Sequence, residues 1–477
     1  MPIPSLLTIG QKQGIPYQTF DDLQLRRLLD EKTIRILSYP AGKEELLQRQ
    51  ELFGVLRTEA GLARIKDVFA ALKEYERAVR LWRSTSIEVE KRFLFAAALS
   101  QYRIICSMLS SLSDCGAKLA AVAAYGKEAL AALPNLDADL DAMQKQLSVI
   151  GKFNLSFAER AYMTRDDIPQ TVYDELSSCA DDLGLAMNDR RGARIRLNDG
   201  LSHAIAELHP EEIAAYDALC EPYRNVPFDA PIAYIEELNF YFAILALCEK
   251  ADEMHIPVCF PAVSEKRQYL AHSVYDISLF LKNAQRIVPN DTFFSEDAPF
   301  HFITGANGGG KTTYLRACGI NLILFLGGCP VFAQDASIYL YTQVCSHFPA
   351  DERFSSGGRL QEEKQRVDRL LESCDADTFI VFNETYSGTD DKLGCEMTLD
   401  TASSIKERGT HGLFVTHFHE VRKGGYPMLN TVTEEDENHV RTFRIVRDLG
   451  ITSSFADDIL RKYRLDAASL AERGGHA

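Results

Sequence analysis

A mainly α-helical N-terminal region followed by an α/β domain is the architecture this sequence predicts, on three observations. Apolar residues recur at three- and four-residue spacing through much of residues 21–250. From Pro257 the texture changes to short β-rich runs between turns. The apolar run Phe300-His301-Phe302-Ile303-Thr304 then leads into Gly305-Ala306-Asn307-Gly308-Gly309-Gly310-Lys311-Thr312 and a helical pattern over residues 313–326. With 477 residues, 46% of them hydrophobic, the chain exceeds one ordinary domain and can bury large cores.

In the helical region the apolar spacing predicts helices over residues 46–56, 68–82 and 93–112. Breaks fall at Tyr39-Pro40-Ala41-Gly42, at Leu133-Pro134-Asn135 and through residues 222–231, after which a returning helix starts at Ile232. A net charge of −16 excludes a protein that coats nucleic acid indiscriminately but leaves room for a local basic surface. The densest positive cluster is Arg190, Arg191, Arg194 and Arg196, and a looser set runs through Arg77, Arg80, Arg83, Lys91 and Arg92. Each reads either as a DNA contact surface or as a solvated helix face.

The eleven cysteines form no C-x-x-C pair and Met1-Pro2-Ile3-Pro4-Ser5 does not open a signal peptide, so a reducing, cytoplasmic location is expected. The apolar stretch 317–333 contains Asn321, Gly327, Gly328 and Pro330. It therefore predicts helix, turn and buried strand, with no membrane partner.

Residues 305–312 match G-x-x-x-x-G-K-[ST], the P-loop, in the strand-before, helix-after context that this motif requires. Glycines let the backbone wrap tightly and point successive N–H groups at phosphate oxygens, with the helix N-terminus adding partial positive charge. Gly305, Ala306, Asn307, Gly308, Gly309, Gly310 and Thr313 then cradle phosphates, Lys311 reaches the β- and γ-phosphates, and Thr312 holds Mg2+. The fold expected for residues 257–448 is an α/β P-loop NTPase domain binding ATP and Mg2+.

Further along, Thr378-Phe379-Ile380-Val381-Phe382 closes on Asn383-Glu384, as a Walker B strand does. An Asp normally holds the metal shell where Asn383 stands, and the following Glu polarises water, so Glu384 is the candidate catalytic carboxylate. The amide of Asn383 still offers an oxygen but no charge, which predicts weakened Mg2+ affinity or slow hydrolysis. Ser355-Ser356-Gly357-Gly358-Arg359 opens a polar helix over residues 360–372. Its free N–H groups can form a second anion site, of the kind in which Ser356 and Gly357 cap a nucleotide bound to a partner subunit. Finally Leu413-Phe414-Val415-Thr416-His417 is a buried run ending in a histidine that can contact the γ-phosphate. His417, His419 and Glu420 also admit a metal reading, but without H-E-x-x-H spacing or a cysteine partner.

In this order, residues 305–312, Asn383-Glu384 and Thr416-His417 resemble the MutS family of mismatch-repair ATPases. Val288-Pro289-Asn290-Asp291, Thr313-Tyr314-Leu315-Arg316, Ala333-Gln334 and Glu420 fit that family's ATPase domain as well. Gly450, Ser454-Phe455-Ala456 and Ile459 look like its C-terminal helix-turn-helix, which pairs two ATPase domains. Residues 44–56, with Arg49-Gln50, and 237–257 are weaker echoes of its core and lever helices. The resemblance implies three parts: a helical core, lever and clamp region over 1–256, the ATPase domain over 257–448, and a dimerisation segment over 449–477.

It also implies a homodimeric clamp on double-stranded DNA, switched by ATP binding and hydrolysis, in repair or recombination. The family's mismatch-reading and connector domains have no counterpart in this sequence, so recognition without mismatch reading is expected. The aromatic that stacks adenine in the family falls near Ile287, with Phe293 and Phe294 further along. The competing expectation is a nucleotide-switched scaffold whose helical arms hold a protein partner and bind no DNA.

Overall fold

The computed structural model describes residues 3–10, 12–113, 116–151, 153–157, 161–165, 199–282, 287–349, 359–433 and 441–447. Arg190, Arg191, Arg194, Arg196, Ser356, Gly357 and the segment from Gly450 lie outside them. The chain divides into two compact units, Met1–Leu6 with Gly54–Leu238, and Leu7–Phe53 with Asn239–Ala477.

The first unit is built from helices Glu59–Ser84, Glu88–Ser110, Ala117–Ala131, Leu136–Ile150, Asp199–Leu208 and Pro210–Cys220. Helix Glu59–Ser84 starts at Thr58, whose hydroxyl accepts the Gly61 N–H at 3.1 Å. It buries Ile65, Val68, Leu72, Tyr75 and Val79, a stripe at helical spacing. The core it faces is aromatic: Trp82, Phe95 and Phe228 meet with ring centroids 5.1 to 6.1 Å apart, and the Tyr75 hydroxyl donates to the Phe228 carbonyl at 2.6 Å. Gly126 allows two helices to approach, since a Cβ there would stand 2.6 Å from the Cys106 carbonyl oxygen.

Helix Glu88–Ser110 has the length and mean hydropathy, 1.3, of a membrane span. Its Phe95, Leu99, Tyr102, Ile105 and Leu109 nevertheless pack into this unit's core. Helices cover the predicted stretch 68–82 in full and the predicted stretch 93–112 as far as Ser110. The middle of the region departs from an all-helical reading, because Phe153–Phe157 (β1) and Ala161–Arg165 (β2) pair as an antiparallel ribbon.

Among the described residues of the second unit, ten strands form two sheets. Ala262–Ser264 (β3), Tyr269–Val274 (β4), Asn290–Phe294 (β5) and Asp335–Tyr339 (β7) make a four-stranded sheet in the order β3-β7-β4-β5. Phe300–Thr304 (β6), Gln343–His347 (β8), Thr378–Asn383 (β9), His411–Val415 (β10), Met428–Thr433 (β11) and Arg441–Arg447 (β12) make a six-stranded sheet in the order β12-β11-β6-β10-β9-β8. All its pairings are parallel except β11 with the edge strand β12. Strands β6 and β10 are buried at every residue, as parallel strands covered on both faces are.

Helix Lys311–Leu326 follows β6 and is buried along almost its whole length. It ends at the Gly327-Gly328 turn, where the fully buried Arg49 donates to the Gly327 carbonyl at 2.8 Å and to the Thr8 carbonyl at 2.7 Å. Beyond the turn the expected strand shrinks to one bridge, Val331 with Cys259.

Candidate functional site

Strand β6 lies between β10 and β11, so its C-terminal end opens beside those of β10, β9 and β8, the crevice where α/β sheets take ligands. The loop leaving it turns through left-handed backbone at Gly305 (φ 115°), Gly308 (71°) and Gly310 (99°). Only glycine tolerates the first of these here, because a Cβ on Gly305 would stand 2.3 Å from Thr431 Oγ1. Gly309 is as confined, with 2.9 Å to the same threonine.

Lys311 opens the helix and is 4% exposed. Its ammonium donates back into the loop, to the carbonyls of Gly305 (2.7 Å) and Ala306 (3.4 Å) and to Asn307 Oδ1 (3.3 Å). Burial lowers its pKa from the usual lysine value, while the Glu384 carboxylate pulls it back up. A buried ammonium bonded to neutral oxygens at a helix N-terminus is a receptor for an anion.

Next to it the Thr312 hydroxyl donates to Asn383 Oδ1 at 2.8 Å, so the two residues expected to hold Mg2+ meet through oxygen atoms. These are hard, neutral donors of the kind Mg2+ accepts. Glu384 follows at φ 50°, with its N–H donating to the Val415 carbonyl at 2.8 Å. Just past β10, the Thr416 N–H donates to the Ile303 carbonyl at 3.0 Å, and the half-buried His417 packs against Phe418 with centroids 4.2 Å apart. The charge of Lys311 is felt by His419: burial, Arg422 and then Lys311 lower that imidazole's pKa. Glu420 pairs with Lys423 at 2.9 Å. Among the described residues no three His, Cys, Asp or Glu side chains converge as metal ligands.

Sequence reasoning missed the roof of the loop, which comes from β11 and β12. Thr304 donates to Asn430 Oδ1 at 2.6 Å, Thr431 covers Gly305 and Gly309, and Phe443 stands 3.6 Å from where a Gly310 Cβ would be. Phe443 is 46% exposed and left-handed at φ 57°. Asn290 clamps it on both sides, donating to the Phe443 carbonyl (3.1 Å) and accepting from the Ile445 N–H (2.7 Å). The aromatics nearer β6 are otherwise engaged: Phe294 is buried against His301 and Phe379, and Phe293 lies under the Arg447 guanidinium, 4.7 Å from its centroid. The only advance signal for Phe443 was an exposed aromatic within an Arg-rich strand pattern.

In the helical unit, three members of the looser basic set are neutralised in pairs. Arg83 holds Asp229 at 2.6 and 2.9 Å, Arg92 holds Asp217 at 2.9 and 2.8 Å, and Arg77 lies 3.8 Å from Glu74.

The family model for MutS domain V matches residues 301–469. Among curated relatives, an endonuclease MutS2 of Lactococcus lactis subsp. cremoris (strain SK11) is 24% identical over 299 residues, covering 59% of this chain and 36% of that protein. An endonuclease MutS2 of Clostridium novyi (strain NT) is 23% identical over 254 residues, 51% of this chain and 31% of its own length. A DNA mismatch repair protein MutS of Caldicellulosiruptor saccharolyticus is 28% identical over 216 residues, 43% and 24% of the two chains. The chain thus spans about a third or less of the length of these relatives.

Proposed function

From the premise that this chain is a member of the MutS family, we propose that it is an ATP-dependent DNA-binding protein acting in repair or recombination. The observation that carries the reading is Lys311: its buried ammonium hydrogen-bonds to neutral oxygens of a left-handed glycine loop, beside the Thr312–Asn383 pair. On this reading the α/β unit is a P-loop NTPase domain. The loop N–H groups and Lys311 bind the phosphates, and Thr312 with Asn383 holds Mg2+, which when bound neutralises phosphate charge. Glu384 orients the attacking water, His417 faces the γ-phosphate, and Phe443 offers its exposed ring to the base.

An uncharged Asn383 leaves metal binding to fewer charges than an Asp would supply, so hydrolysis is slow and ATP acts chiefly as a switch. A homodimer, with Ser356 and Gly357 reaching the partner's nucleotide, would transmit that switch to the helical region. Arg190, Arg191, Arg194 and Arg196 are the proposed DNA contacts.

Steady-state ATP hydrolysis, measured with and without branched, mismatched and plain duplex DNA and with Lys311→Ala as control, tests the reading. Stimulation by one DNA form, weakened by salt, is the expected result. Hydrolysis indifferent to every DNA would favour the scaffold that holds a protein partner, a reading to which the paired arginines Arg83 and Arg92 lend weight.

A further inference from the structure

We propose that His347 is a positioning residue for hydrolysis, holding the strained turn that carries Glu384 through its contact with Thr385. The inference rests on the reading of Glu384 as the residue that orients water.

Two residues of this turn adopt left-handed backbone without being glycine: Glu384 at φ 50° and Tyr386 at φ 65°. Each is a strained conformation that persists only where the surroundings over-determine it. Three anchors hold the turn, one from β10, one from its own backbone and one from the Thr401 side chain. The Glu384 N–H reaches the Val415 carbonyl at 2.8 Å, the Ser387 N–H reaches the Glu384 carbonyl at 3.3 Å, and the Tyr386 hydroxyl meets Thr401 Oγ1 at 3.1 Å. The fourth anchor is a side chain of β8. His347, the last residue of β8, places Nδ1 2.9 Å from the hydroxyl of Thr385, the residue next to Glu384.

Both partners are buried, His347 at 7% and Thr385 at 0% exposure. Burial pushes the imidazole down to about 4, so at neutral pH the ring is uncharged and exchanges one hydrogen bond with the hydroxyl. A space-filling role does not account for this ring. Its Nε2 is buried with no hydrogen-bond partner among the described residues, a cost that an apolar side chain of similar size would avoid. What imidazole supplies and an apolar group does not is the Nδ1 contact to the catalytic turn.

The experiment compares wild type with Thr385→Val, His347→Ala and His347→Asn, reading kcat, KM for MgATP and the thermal midpoint. Thr385→Val removes the hydroxyl while keeping its shape, and the Asn amide occupies the position of Nδ1. The expected result is a ten- to hundredfold loss of kcat in Thr385→Val and His347→Ala, KM within about threefold of wild type, and substantial recovery in His347→Asn. An unchanged kcat in Thr385→Val overturns the role. So does a joint loss of kcat, nucleotide affinity and thermal midpoint that His347→Asn does not repair, since that is the pattern of a structural residue. A wild-type protein that binds MgATP without hydrolysing it overturns the reading of Glu384 itself, and is told apart because every variant then matches wild type.

Discussion

The two units of this chain differ in where their backbone is strained. In the helical unit the interior is an aromatic cluster around Trp82, Phe95 and Phe228, and Arg83 and Arg92 meet their carboxylates near the surface. In the sheet unit a lysine, three imidazoles and the carboxyl of Asp276 are buried. All six non-glycine residues with left-handed backbone among the described residues, Gln24, His255, Ser273, Glu384, Tyr386 and Phe443, also lie there. Three of these six border the glycine loop or the Asn383 turn. Buried ionisable groups occur in both units, Lys118 and His209 among them in the helical one, but strained backbone persists only where function needs it, so its one-sided distribution marks the sheet unit as the working part.

Acid should separate the two units most strongly. His301, His347 and His411 sit on β6, β8 and β10, and burial lowers each to about 4 from 6.5. A folded-state pKa below the unfolded one gives stability that is present above about pH 6.5 and lost as pH falls toward 4. At about 1.4 kcal/mol per pKa unit, the loss approaches ~3 kcal/mol per ring. Asp276 opposes this, because its carboxyl is raised to about 6 and becomes easier to bury as pH falls, and burial raises Asp22 as well, but these are two carboxyls against three rings. Hydrogen exchange at pH 7 and pH 4.5 should show protection collapsing in β6, β8 and β10 while helices Glu59–Ser84 and Glu88–Ser110 retain theirs. Equal loss in both units would break the comparison.

Glycine substitution should divide them next. Gly305→Ala sets a Cβ 2.3 Å from Thr431 Oγ1 at φ 115°, a combination expected to cost about 2–4 kcal/mol and to abolish nucleotide binding. Gly54→Ala, inside helix Lys43–Leu56 with nothing within 4 Å of the new methyl, should instead stabilise by about 0.5–1 kcal/mol. Chemical denaturation of both variants checks the sign of each change.

What was legible in the sequence was local. Glycine spacing located the loop, apolar periodicity located helices Glu59–Ser84 and Glu88–Ser110, and the run closing on Asn383 located β9. What was not legible depends on pairing between distant residues. Nothing beside Thr431 or Phe443 in the chain says that β11 pairs with β6 and so roofs the loop, or that Asn290 clamps Phe443 from more than a hundred residues away. The bond between His347 and Thr385 is hidden for the same reason. The expected strand after Gly328 became a single bridge because Pro330 lacks a ladder donor. The β1–β2 ribbon was missed because five-residue strands are too short to compete with a helical period on either side.

Lys311 offers a smaller, sharper test because its two roles pull apart. If its charge is kept for an anion at a cost to the fold, Lys311→Met should abolish nucleotide-induced stabilisation yet stabilise the nucleotide-free protein by about 1 kcal/mol, seen as a raised thermal midpoint. Differential scanning fluorimetry with and without MgATP reads both. A fall in the nucleotide-free midpoint would mean that the ammonium's bonds to the Gly305 and Ala306 carbonyls repay its burial, and the contrast between the units would weaken.

The smallest effect belongs to the helical unit's ion pairs, and there the two bidentate contacts should differ from one another. Arg92 is 18% exposed and Asp217 47%, whereas Arg83 is 48% exposed and Asp229 74%. Geometry is similar in both, so solvent screening decides. A double-mutant cycle on Arg92 and Asp217 should give a coupling of about 1 kcal/mol, and one on Arg83 and Asp229 about half that or less. Both couplings should shrink in high salt. A coupling of several kcal/mol at either pair would show that the helical unit also carries charges its fold depends on, and that its satisfied surface is as specialised as the strained interior of the sheet unit.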